Sequence, residues 1–283
     1  IFSLEAIKRN YKKIIDLKSG PSRYGIWRLV NPDVESLEEK STPFKDEQLP
    51  LLDSTEIDEG YNLLSDELLI PKEKILEIII ALSSGRHVLL AGPIGTGKTQ
   101  LAKLIPKYFW KKYGGYFSDD HTATSDWSTL EVIGGILPKM DGDNPKYVIQ
   151  YGCVVDTVSK NWNDEGNRIS TENPDDEMPY RGTWLIIDEF NRADIDKAFG
   201  QLFTSLRTRE LKIPTNEPDV FYTDLKIPKD YRIIGTLNTA DKHFLFNLSD
   251  ALKSRFAYIE VDIPKREYSE TEIYYALKNA LKD

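Results

Sequence analysis

Gly92-Pro93-Ile94-Gly95-Thr96-Gly97-Lys98-Thr99 is the stretch from which the fold can be read. Two glycines separated by four residues precede a lysine and a hydroxyl residue, the pattern of a phosphate-binding loop. Before it, His87-Val88-Leu89-Leu90-Ala91 is an apolar run that predicts a buried strand. After it, Gln100-Leu101-Ala102-Lys103-Leu104-Ile105 has the apolar spacing of a helix. Glycine lets such a loop curl until several backbone N–H groups face one phosphate chain. The helix that starts there adds the positive end of its dipole. The candidate binding residues are Gly92, Gly95, Thr96, Gly97, Lys98, Thr99 and Gln100. Lys98 offers a point charge to the outer phosphates and Thr99 a hydroxyl oxygen to Mg²⁺. A glycine-rich turn could match by accident, but strand, loop and helix in that order are the context the motif requires.

The 283 residues suffice for one or two domains with a real core. Hydrophobic residues make up 40% and charged residues 29%, a composition typical of soluble globular chains. The single cysteine, Cys153, permits no intrachain disulfide and fits a cytoplasmic setting. Its apolar neighbours, Val154 and Val155, read as core. No apolar run reaches the eighteen or so residues of a membrane span, and no signal peptide is apparent. A net charge of −9 argues against a broad nucleic-acid surface. The chain opens on Ile1, not Met, as expected of a fragment or a trimmed chain.

Residues 1–17 carry apolar residues at helical spacing, and 19–30 turn through Gly20-Pro21 and Gly25. Residues 31–60, acidic and broken by Pro32, Pro43 and Pro50, read as a linker or loose strap. Pro71 suits the first turn of a helix over Lys72 to Ser83. Pro106 predicts a kink or break in the helix after the loop. Tyr116–Thr124 is a candidate strand and 126–133 a short helix. Gly134–Leu137 and Tyr147–Tyr151 flank a polar turn and predict a hairpin. Val154–Trp162 resumes a helix, and 163–179 reads as a mobile acidic surface loop.

Trp184-Leu185-Ile186-Ile187-Asp188-Glu189 is an apolar strand ending in two acids. A helix over 193–209 follows, then a buried strand, 231–238, ending in Asn238. A short helix closes at Arg255-Phe256, a last strand covers 258–263, and a helix capped by Ser269 ends the chain. Alternating strands and helices predict an α/β fold with a parallel sheet covered on both faces. Ligands bind such sheets at the carboxyl ends of the strands, so the loop, Asp188-Glu189 and Asn238 should meet on one edge. Beside this loop, Asp188 would hold Mg²⁺ with Thr99, and Glu189 would polarise the attacking water. The acids could otherwise cap a helix, and Asn238 could simply form a turn.

Together these residues resemble the AAA+ ATPases, P-loop NTPases with a three-layer αβα core. Within them the chain is similar to the clade with a hairpin inserted in its second helix, which includes McrB-type and MoxR-type proteins. The segment 186–202, IIDEFNRADIDKAFGQL, resembles one that reads DEINRA in both groups. IIGTLNTAD (233–241) resembles the McrB-type signature more, and the hairpin at 133–152 sits where the clade has its insert. The resemblance implies an N-terminal helix and linker over 1–68, a nucleotide-binding core over 69–265 and the start of a helical lid, mostly missing, over 266–283. It implies that Asn238 is sensor 1 and that Arg255 is the arginine finger acting on a neighbouring subunit. Arg255 could otherwise be a surface residue at a helix end. Arg192 would act between subunits or hold the loop after the acids. Asp241 matches the acid of the NTAD signature. The chain departs from the pattern at Ile94, where proline is usual, and at Lys242-His243, where Arg-Ser is.

The activity so implied is Mg²⁺-dependent hydrolysis of GTP or ATP in a homo-oligomeric ring, with six subunits expected. McrB-type proteins are motors of modification-dependent DNA restriction, working with an endonuclease and reaching DNA through an N-terminal domain. The alternatives are a MoxR-like ATPase that remodels protein complexes and a nucleotide-binding scaffold without turnover. Intact Glu189, Asn238 and Arg255 argue against the scaffold.

Overall fold

The computed structural model describes residues 45–141, 144–215, 222–238 and 250–262, with 273, 274 and 277. The helices read from sequence over 1–17 and 269–283, the turn over 19–30, and Asp241, Lys242 and His243 lie outside the described residues, apart from those three isolated positions.

Five strands form one sheet: β1 (His87–Gly92), β2 (Tyr116–Thr122), β5 (Gly182–Asp188), β8 (Ile233–Asn238) and β9 (Phe256–Glu260). Their order is β2-β5-β8-β1-β9 and every pairing is parallel. Alternation of side chains along each strand feeds two cores. Val88, Leu90, Trp184, Ile186 and Ile234 face α1 (Ser54–Ser65), α2 (Lys72–Ser83) and α3 (Lys98–Tyr108). Leu89, Ala91, Leu185, Ile187, Ile233 and Leu237 face α4 (Thr129–Val132), α5 (Cys153–Ser159), α6 (Ile195–Thr208) and α7 (Asp250–Arg255). The result is the three-layer α/β sandwich expected. The clade's hairpin is present as β3 (Gly134–Asp141) and β4 (Asn144–Tyr151), paired antiparallel. Pro106 sits in the last turn of α3, which ends two residues later.

Three features differ from the sequence reading. Among the described residues, the supposed linker packs on the core: Leu49 is buried, and Trp110 Nε1 donates to Pro50 O at 2.7 Å. Helix α1 opens on a capping box, Asp53 Oδ1 accepting from Glu56 N–H and Glu56 Oε2 from Asp53 N–H, both at 2.9 Å. Residues 45–68 thus join the core placed at 69–265. Second, β6 (Glu210–Pro214) and β7 (Tyr222–Lys226) form another hairpin, seeded by buried Leu211 and Ile213.

Third, the acidic loop at 163–179 is tethered. Arg168 is 3% exposed and donates through Nη2 to both carboxylate oxygens of Asp230, at 2.8 and 3.0 Å. Asp230, 2% exposed, also accepts from Arg181 Nε at 3.1 Å and Tyr116 Oη at 3.0 Å. The loop is therefore held at the base of β5 through Arg168, while residues 163–167 and 174–179 on either side are exposed. Arg168→Ala would leave the buried Asp230 carboxylate with only Arg181 and Tyr116, so stability should fall by about 2 kcal/mol, the loss of charge-assisted hydrogen bonds. It should also open 163–179 to proteolysis; unchanged cleavage and melting would show that the tether carries no weight.

His87 is buried at the start of β1, and its Nδ1 accepts Ile233 N–H at 2.9 Å. Burial, then the nearby Arg232 charge, holds its pKa well below the ordinary 6.5. Below that value the unfolded chain takes up a proton that the folded chain refuses, so stability is full above pH 6.5 and falls beneath it. Between pH 6 and 5 stability should therefore fall as the pH is lowered. Denaturant unfolding across that range checks it, and His87→Gln should flatten the curve.

Candidate active site

Register brings the candidates together. Gly92 at the end of β1 pairs with Asn238 at the end of β8, and Ile187 pairs with Gly235, which sets Asp188 level with Thr236. Asp188, Thr236 and Asn238 fall on the alternation that faces α3, whose first turn carries Lys98 and Thr99. Ile94, Gly95, Gly97, Lys98, Thr99, Gln100, Asp188, Glu189, Thr236, Leu237 and Asn238 line one cleft of about 400 Å³.

Two glycines shape the loop for different reasons. Gly97, the N-cap of α3, has φ +77°, a left-handed conformation that disfavours any Cβ. Gly92 is excluded from substitution by contact: a Cβ there would lie 2.1 Å from the Val261 carbonyl. Helix α3 makes its first backbone bond from Leu101 N–H to Gly97 O at 2.8 Å, so its opening amides face the cleft.

Lys98 Nζ donates to Gly92 O at 2.9 Å and Pro93 O at 2.5 Å. It pairs with no carboxylate among the described residues. Burial lowers its pKa, against an opposing pull from Asp188. A buried ammonium held by neutral carbonyls is matched to an arriving anion.

Asp188 Oδ1 accepts from Thr99 Oγ1 at 2.9 Å, from Thr236 Oγ1, and from Glu189 N–H at 3.1 Å. Its Oδ2 takes no hydrogen bond from the described residues. One carboxylate and one hydroxyl, both hard oxygen donors, suit Mg²⁺, which usually takes one or two protein ligands and completes its shell with water and phosphate. The donor set therefore fits that ion.

Glu189 has φ 53°, rare outside glycine, so its backbone turns sharply off the strand. Its carboxylate pairs with Arg192 Nε at 2.9 Å. Arg192 thereby holds the acid three residues before it, a contact the sequence reading did not name. Asn191 Oδ1 accepts Asn238 N–H at 3.4 Å. Asn238 Oδ1 is buried and has no partner among the described residues.

Arg255 is not part of this cluster. It ends α7 immediately before Phe256, which pairs with His87 at the opposite end of β1 from Gly92. Five strand steps, roughly 17 Å, separate those levels. Cys153 is buried as expected, and burial pushes its thiol up to about 12, far from a nucleophile's range. Sequence reading missed Thr236. The signal was available: it lies two residues before Asn238, on the same face of the strand.

A phosphate loop, an acid pair and a polar strand end, drawn together by a parallel sheet, define a P-loop ATPase of the AAA+ class, near McrB and MoxR types. The family model described as AAA domain (dynein-related subfamily) matches residues 87–256, and the chain belongs to that family. The type IV methyl-directed restriction enzyme EcoKMcrB subunit of Escherichia coli K12 is 26% identical over 205 residues, 70% of this chain and 40% of that protein. The gas vesicle ATPase GvpN of Ancylobacter aquaticus is 25% identical over 185 residues, 65% of this chain and 48% of that protein. The protein YojN of Bacillus subtilis is 35% identical over 78 residues, 27% and 24% respectively. The chain thus spans less than half the length of each of these relatives.

Lys98→Ala removes the only cation lining the cleft among the described residues. Nucleotide affinity, measured by fluorescence of a labelled nucleotide, should fall about a hundredfold or more. A drop of less than threefold would mean that the loop amides suffice.

Proposed function

We infer that the chain is the motor core of a ring-forming nucleoside-triphosphatase of McrB type, hydrolysing GTP or ATP. The observation that carries this reading is the convergence of Lys98, Thr99, Asp188, Glu189 and Asn238 on one cleft, with Arg255 at the far end of the sheet. Loop amides and Lys98 would bind the phosphates, and Thr99 and Asp188 would hold Mg²⁺. Bound there, that ion neutralises phosphate charge. Glu189 would leave Arg192 and take a proton from the attacking water. Asn238 Oδ1, lacking a donor of its own among the described residues, would accept the water's other hydrogen. Arg255 cannot reach its own cleft, so its guanidinium would serve that of an adjoining subunit.

The McrB-type reading draws on the E. coli relative and on Asn238-Thr239-Ala240-Asp241. On that reading an endonuclease is the partner, and DNA is reached through a separate domain. The likeness to the gas vesicle ATPase supports the second reading, a MoxR-like remodelling ATPase acting on a protein complex. Hydrolysis of ATP against GTP by the full-length protein separates the substrates. Inactivity with both, in the presence of candidate partners, would sink the enzyme reading.

Two variants test the assignments. Glu189→Gln should leave nucleotide binding within about twofold while turnover falls on the order of a hundredfold or more. Arg255→Ala should leave binding by single subunits intact and cut turnover about a thousandfold. Mixing the two should restore some activity, at those interfaces that pair an intact Glu189 with an intact Arg255. Normal hydrolysis by Arg255→Ala alone would remove the interface role.

A further inference from the structure

Thr236 joins the two acids through one oxygen. Its side chain is 2% exposed and falls on the face of β8 that looks toward α3. The Glu189 amide donates to Thr236 Oγ1 at 3.1 Å. An amide can only donate, so the hydroxyl proton is left for its other neighbour, Asp188 Oδ1. The same Oδ1 receives Thr99 Oγ1 and shares the Glu189 amide. Donors from α3, β8 and the turn after β5 therefore converge on one carboxylate oxygen, leaving the other without a donor among the described residues.

The geometry points to Thr236 as a positioning residue that sets the Mg²⁺-binding acid and the water-activating acid with a single hydroxyl. It acts on Asp188 by fixing the rotation of the carboxylate. It acts on Glu189 by holding the amide that opens the left-handed turn, a conformation disfavoured for a residue with a side chain. Without the hydroxyl, the Glu189 amide keeps only Asp188, and Asp188 loses one of three donors. Metal sites feel the loss of such supporting hydrogen bonds strongly. The role of Asp188 toward Mg²⁺ rests on the function proposed above; the hold on the Glu189 turn does not.

The test compares Thr236→Val, which keeps the shape and loses the hydroxyl, with Thr236→Ser, which keeps the hydroxyl. In metal-free and nucleotide-free protein, hydrogen exchange at the Glu189 amide should speed about tenfold in the valine variant, the loss of one hydrogen bond. Exchange at Leu185, bonded to the Arg232 carbonyl, should not change. The Mg²⁺ concentration that half-saturates binding of a labelled non-hydrolysable nucleotide should rise about tenfold. Mg²⁺-independent nucleotide binding should stay within twofold. Thr236→Ser should restore both readouts. Unchanged exchange and Mg²⁺ dependence in the valine variant overturn the proposal, and so does equal damage in both variants with a matching fall in Tm, which would mark a packing role. If the wild type hydrolyses neither nucleotide, the enzyme reading falls, while the exchange and binding arms still decide what Thr236 does.

Discussion

A carboxylate at the end of a buried strand has to be hydrated, paired or hydrogen-bonded. Asp188 meets that demand with donors from three separate elements. Thr236 stands level with Asp188 because of the parallel register of β5 and β8. Were β8 shifted by one residue, Thr236 would turn to the opposite face and Asn238 would leave the level of Gly92. The apolar alternation that builds the two cores therefore also fixes the polar edge. Packing and chemistry are written in the same period-two pattern, and neither can slip without the other.

Much of this was legible because it is local. The phosphate loop sits between a recognisable strand and helix, and the acids and Asn238 end apolar runs. The hairpin of β3 and β4 showed its turn. What sequence concealed depends on partners far away in the chain. Nothing local marks Arg168 within the acidic loop, because its partner Asp230 lies 62 positions on. Helix α1 was hidden by its acidic surface and by Gly60, which packs against the Phe109 ring where a Cβ would lie 2.7 Å away. Its capping box, Asp53 and Glu56, was the local signal that could have revealed it. Thr236 was hidden for a different reason: threonine is a common strand residue, and only the alternation shared with Asp188 marks it.

The site is also asymmetric in its rigidity. Asp188 is braced at Oδ1 by three donors, whereas Glu189 has a held backbone and a carboxylate tied to Arg192, which is 60% exposed. An ion pair so exposed is worth little, about 0–1 kcal/mol. The turn is thus fixed while the side chain is cheap to redirect. That division suits a group required to stay in place as a hinge and still respond to what arrives in the cleft.

The contact between Gly92 and the Val261 carbonyl has a further consequence. Val261 N–H also donates to Ala91 O at 2.7 Å, so the chain leaving β9 runs pressed along the base of the loop. The requirement for glycine at position 92 is imposed from outside the motif, by backbone 169 residues downstream. Transplanted onto another scaffold, His87–Ile105 would carry its sequence but not the wall it was shaped against. The portable unit is β1, its loop and helix, and β9 beside them.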